Sequence, residues 1–186
     1  MSQAKDTTTV SAITARLASY IAETPARVLP GAVAAKTKHH ILDTVAAMIS
    51  GSRLKAGLLA AKYVATLGGT AEATVIGTAT VTSAFNAALA NGMMGHADET
   101  DDSHLLGRFH PGCGILPAAL AVAEVANRTG EDLIRAVALG YDVGARVCPA
   151  LGLGHAESAK YSTHSLGTAF GAVAAAAALL RFDERQ

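Results

Sequence analysis

The chain has 186 residues, of which 51% are hydrophobic, 16% charged and only 4% aromatic. That length suffices for one domain with a real core, and the composition excludes extended disorder beyond the first few positions. Fifteen basic and fifteen acidic residues cancel, which excludes the electrostatic footprint of a nucleic-acid binder.

Two cysteines, Cys113 and Cys148, make neither a disulfide framework nor a CxxC zinc pair. The start, MSQAKDTTTV, lacks the apolar core of a signal peptide. The most apolar run, residues 166–180, is shorter than a membrane span and largely alanine. The expectation is a cytoplasmic chain with no membrane partner. Abundant small side chains imply closely packed helices, and one chain of this size has difficulty covering so much apolar surface alone. Association through a partner subunit or a missing segment is therefore expected.

In chain order, residues 10–22 place Ile13, Leu17 and Ile21 on one helical stripe, with Val10 preceding. Pro25 and Pro30 bracket a connection. A second helix, about 31–49, is expected to bury Val33, Ile41, Val45 and Ile49, with Gly51 as its stop. Leu54, Leu58, Ala61 and Val64 mark a third helix, closed by Gly68-Gly69. EATVIGT, residues 72–78, is the one strand candidate and is too short to define a sheet.

Residues 82–97 return to helical spacing, and Asn91-Gly92 reads as the helix end before the next loop. An apolar helix follows over 115–127, with Pro117 tolerable only in its first turn. Thr129-Gly130-Glu131-Asp132 has the form of a capping box with Asp at the third helical position. It opens a helix over Leu133–Val147 with the stripe Leu133, Ile134, Val137 and Tyr141. A polar loop, 152–165, leads to a last alanine-rich helix at about 166–181. These elements predict an all-α bundle in a single domain spanning 1–186. The last apolar helix wants neighbours on several sides, so the chain reads as an N-terminal portion of something larger or half of a split protein.

The chemistry concentrates in GHADETDDSHLLGRFHPGCG, residues 95–114, which holds four acids and three histidines. Asp98, Glu99, Asp101 and Asp102 lie within five residues, so mutual repulsion is expected to raise some of their pKa values. His96, His104, Arg108 and His110 are close enough in sequence to compensate. Imidazoles tuned by carboxylates suit general acid–base catalysis. A solvated acidic loop is the plain alternative, and clustering beside the breaker FHPGCG favours a site. Acids at DxxDD spacing also fit Mg²⁺ and diphosphate chemistry, but that needs a second acidic motif, and Glu131-Asp132 is spent as a cap.

Proton abstraction next to a carboxylate needs no metal. It does need cations to hold the substrate, for which Arg108, Lys160 and Arg146 are available. Cys113 reads as a small residue filling a tight turn, His39-His40 as structural or surface, and His155 as a residue that could line a pocket.

NGMMGHADETDDSHLLGRFHPGCGILPAALAVAE, residues 91–124, resembles the signature of the MmgE/PrpD family. That family includes 2-methylcitrate dehydratases, cis-aconitate decarboxylases and iminodisuccinate epimerases. ILDTVAAMISG (41–51), TGEDLIRAVALGYDVGARV (129–147) and LGTAFGAVAAAAALLRFD (166–183) match further segments in the same order. The resemblance implies a large helical domain, with the smaller α+β lid domain absent from this chain, and commonly a homodimer. It also implies cofactor-free lyase or isomerase action on small di- and tricarboxylates.

Carried over residue by residue, the family's aspartate falls on Glu99, and its Asp-Asp-Thr becomes Asp101-Asp102-Ser103. The histidine of its His-Pro pair falls on His110, after a loop one residue longer. A second family histidine corresponds to His164, or to Ser162 if no gap is allowed. The expected catalytic set is thus His110, Glu99, Asp101 and His164, with Ser103, Asp102, Arg108 and His104 binding substrate and no metal or cofactor. The substitution of Glu for Asp marks a divergent branch. The later lysines, the tyrosine and the lid are expected from another segment or chain, and a non-catalytic helical scaffold is the competing reading.

Overall fold

A computed structural model describes residues 11–152 and 162–186. The chain order is α1 (Ala12–Glu23), a short 3₁₀ turn (Thr24–Ala26), α2 (Gly31–Gly51), α3 (Lys55–Leu67), β1 (Ala73–Thr74), β2 (Val81–Thr82), α4 (Ala84–Gly95), α5 (Gly112–Val125), α6 (Gly130–Ala150) and α7 (Thr163–Leu180). The all-α expectation holds. The strand candidate contributes two residues to a small antiparallel ladder, pairing Ala73 with Thr82 and Thr74 with Val81.

Local chemistry sets the helix ends. The Ser11 and Ser83 hydroxyls cap α1 and α4 by accepting from Thr14 N and Asn86 N. Thr129 and Asp132 form the expected reciprocal capping box at the start of α6. Pro117, however, lies inside α5 rather than in its first turn, because α5 already begins at Gly112. Asn91-Gly92 does not end α4, which runs on to Gly95. Asn91 is instead buried in mid-helix, accepting from Ile76 N at 2.8 Å and donating to Thr74 O at 2.9 Å, so it pins the hairpin to the bundle.

The second helix also differs from its expected stripe. Thr37, Thr44, Ala47, Met48 and Gly51 are the buried residues of α2, while Val33 and Ile49 are exposed and Ile41 and Val45 half-buried. Close helix approach explains the difference. A Cβ on Gly51 would run into the Met94 carbonyl of α4, so small residues face the neighbour and branched ones are displaced to the flank. The buried Thr37 and Thr44 hydroxyls stay satisfied by donating to the Val33 and His40 carbonyls. Likewise α3 buries Gly57, Ala60 and Val64 but leaves Leu58 and Leu59 exposed, and Ile13 of α1 is exposed too.

The core runs through Met48, Val64, Val75, Met94, Phe109, Ile115, Leu116, Val137, Val143 and Leu179. Its most extensive seam joins α6 and α7. A Cβ on Gly140 would lie 2.7 Å from Gly171 O, and one on Gly144 would lie 2.5 Å from Gly167 O. By length and composition α7 could cross a membrane, contrary to its reading as too short. In this fold its face at Gly167, Gly171, Ala174, Ala175 and Ala178 is buried in the bundle.

Substituting alanine at Gly140 or Gly144 should lower stability by about 1–3 kcal/mol in denaturant unfolding, because the contact is with backbone that cannot turn away. Gly31, which has nothing within 4 Å of its Cβ position, should accept alanine with a change below about 1 kcal/mol.

Candidate active site

The loop between α4 and α5 is anchored by Phe109, which is 1% exposed and plugs the seam of α6 and α7. Its backbone closes on His104: His104 N donates to Phe109 O at 2.9 Å and Arg108 N to His104 O at 2.7 Å. Thr163 Oγ1 of α7 donates to Arg108 O at 2.9 Å. Fixing Phe109 fixes the next residue, His110, at the mouth of α5.

The four acids separate into two pairs. Asp98 is held from outside by Ser50 and Thr100, whose hydroxyls donate to it at 2.9 and 2.8 Å. Those bonds hold its carboxyl below the usual range, so the expected upward shift by repulsion does not occur at Asp98. Glu99 is exposed, with a left-handed backbone at φ 53°.

Asp101 and Asp102 point inward and in different directions. The Asp101 side chain is fully buried, with its oxygens 3.0 and 3.2 Å from His96 Nδ1 and Oδ1 3.5 Å from His110 Nδ1. Asp102 ties three helices together: it accepts from Gly112 N at 2.8 Å and from the Tyr141 hydroxyl at 2.8 Å, and its Oδ2 lies 3.0 Å from His40 Nδ1. The Gly112 bond places a carboxylate at the N-terminus of α5, where the helix dipole favours it. A Cβ on Gly112 would lie 2.7 Å from that same carboxylate oxygen, so the close approach requires glycine. Burial first, and then the charge of Asp102, pushes the Tyr141 hydroxyl well above its ordinary pKa.

Two imidazoles flank Asp101, and a third stacks on one of them. The His96 and His110 rings are 4.9 Å apart, and His164, in the first turn of α7, stacks on His110 at 5.5 Å. Cys113 in the first turn of α5 donates to His110 O at 3.3 Å. Burial, reinforced by the Asp101 charge, pushes its thiol up to about 12.

Of the residues expected from sequence, the fold thus brings together Asp101, His110 and His164. Ser103 and Arg108 are exposed. His104 turns back into its own loop, accepting from Gly107 N at 2.9 Å and lying against Phe109. Asp102 has both oxygens engaged within the protein. Arg146 is paired with Asp142 on the exposed side of α6. Lys160 and His155 lie outside the described residues.

His96, His40 and Tyr141 were the unassigned members. Tyr141 read as part of an apolar stripe and His40 as a structural or surface residue. Only a polar group on the buried faces of α2 and α6 could have hinted at their shared partner.

The pattern of the MmgE/PrpD N-terminal domain matches residues 15–186. The chain belongs to the MmgE/PrpD family. It is also 32% identical over 180 residues to the cis-aconitate decarboxylase-like protein oryM of Aspergillus oryzae (strain ATCC 42149 / RIB 40). That alignment covers 93% of this chain but 37% of the fungal protein, so the chain spans little more than a third of the relative's length. Membership in this family relates the chain to lyases.

Because the Cys113 thiol ionises only near 12, its alkylation by iodoacetamide should be slow at pH 7 and rise about tenfold per pH unit to pH 10. Mass spectrometry of the Cys113 peptide reads this directly. A plateau reached by pH 9 would contradict the assignment, and Asp101→Asn should speed the reaction.

Proposed function

We propose that this chain is the helical-domain portion of a cofactor-independent lyase or isomerase that acts on small di- or tricarboxylates. The chemistry is removal of a proton next to a carboxylate. Its outcome is dehydration if a β-hydroxyl leaves as water, and epimerisation if the proton returns to the other face. In decarboxylation the same group acts in reverse as an acid, giving a proton to the carbanion left when carbon dioxide departs.

The observation that carries the reading is the buried Asp101 carboxylate facing His110 Nδ1, with His164 stacked on the same ring. A carboxylate on that side favours the tautomer with its proton on Nδ1. The lone pair then sits on Nε2, where it can accept a carbon-bound proton. The imidazolium that forms is stabilised by Asp101, as an orienting carboxylate does in other acid–base pairs. His96 and His164 supply further groups that can carry the proton. The family relationship and the similarity to a cis-aconitate decarboxylase-like protein support the substrate class.

The cationic groups that hold the substrate's carboxylates come, in this account, from a further segment or second chain. Support comes from the exposed Leu58, Leu59, Tyr63, Phe85, Leu89 and Met93 on α3 and α4, an apolar surface suited to association.

The test is turnover of cis-aconitate, citrate and 2-methylcitrate, with deuterium exchange at the carbon next to the carboxylate followed by NMR. It is run on the chain alone and with the segment that completes it. His110→Gln should reduce exchange by about 10²-fold or more. Absence of exchange and turnover under both conditions would overturn the proposal.

A further inference from the structure

Besides His110, the Asp101 carboxylate meets a second imidazole, His96, and lies near the thiol of Cys113. We propose that His96, Asp101 and Cys113 form a binding site for a borderline transition-metal cation, Zn²⁺ being the best match. His96 Nδ1, an Asp101 oxygen and Cys113 Sγ all lie within 4.8 Å of one another. A cation bonded to such atoms sits about 2.0–2.3 Å from each. The three donors therefore need to close by about 1 Å, which rotation of the exposed His96 and half-buried Cys113 side chains supplies.

The platform under these donors is rigid. His96 caps the end of α4 and Cys113 stands in the first turn of α5. The two helices meet through glycine: the Cβ position of Gly95 is 3.5 Å from Cys113 Cα, and that of Gly92 is 3.1 Å from Cys113 O. The spacing of the two donors is thereby set by backbone contact. Solvent reaches both from a cleft of about 570 Å³ lined by Leu89, Met93, His96, Cys113 and Gly114, which gives an ion its path.

Donor chemistry selects the ion. Thiolate and imidazole together favour Zn²⁺ or Co²⁺ over Mg²⁺ and Ca²⁺, which prefer oxygen-only sets. Binding takes Cys113 as its thiolate, the thiol proton passing to solvent. His110 Nδ1 is buried without a hydrogen-bond partner among the described residues and lies 3.5 Å from Asp101 Oδ1, which makes it the nearest further nitrogen donor. An ion held here occupies the carboxylate that would orient His110, so metal binding and acid–base use exclude one another. Binding itself does not depend on the lyase reading.

Co²⁺ titration of the whole chain reads the site directly. The expected result is a sulfur-to-cobalt charge-transfer band in the near ultraviolet that saturates at one equivalent and is abolished by Zn²⁺, but not by Mg²⁺. Cys113→Ser should remove the band, and His96→Gln, at an exposed position, should weaken binding by about tenfold or more. Cys148→Ala should leave the band in place. No band at saturating Co²⁺, a band that follows Cys148, or unchanged affinity in both Cys113→Ser and His96→Gln would overturn the proposal.

Discussion

Two consecutive aspartates facing different ways organise this domain. Asp102 spends its carboxylate on structure, drawing α2, α5 and α6 together through His40, Gly112 N and Tyr141. Its neighbour, one peptide along, is thereby forced into a different environment, buried among histidines. A buried carboxylate is costly unless it is fully hydrogen-bonded or paired. Asp102 meets that condition with two donated hydrogen bonds and an adjacent imidazole, supplied by three helices, and in doing so it holds Asp101 in place.

The helices can converge on this point because their contacts are made by backbone. Glycine seams between α6 and α7 bring His164 to the face of His110, and Gly112 leaves room for Asp102 at the start of α5. Phe109 closes the arrangement by wedging between α6 and α7, which turns a long connection into a fixed ledge for His110. Large aliphatic side chains are mostly pushed to the flanks. That explains why a domain so rich in apolar residues still exposes many of them on α3 and α4.

Much of this was legible in the sequence, for identifiable reasons. The all-α class follows from period-3.6 stripes and from caps such as Thr129–Asp132, which are local properties. The same logic failed where packing rather than propensity decided the outcome. Val33 and Ile49 looked like core residues, yet close approach at Gly51 gave the buried face of α2 to threonine, alanine and methionine. Asn91-Gly92 looked like a helix end because asparagine and glycine often are, whereas here Asn91 is bound to the hairpin backbone. The acid cluster announced a site, but only tertiary structure could divide it, with Asp98 tied to Ser50 on the outside and Asp101 buried. His40 and Tyr141 were invisible as partners because they lie 62 and 39 residues from Asp102.

We propose that Asp101 sets the tautomer of His110. Long-range ¹⁵N–¹H NMR of the histidine side chains tests it most directly. The expected result is that His110 carries its proton on Nδ1, with Nε2 unprotonated, and that Asp101→Asn shifts the balance toward the other tautomer. A proton on Nε2 in the native chain, unmoved by Asp101→Asn, would contradict it.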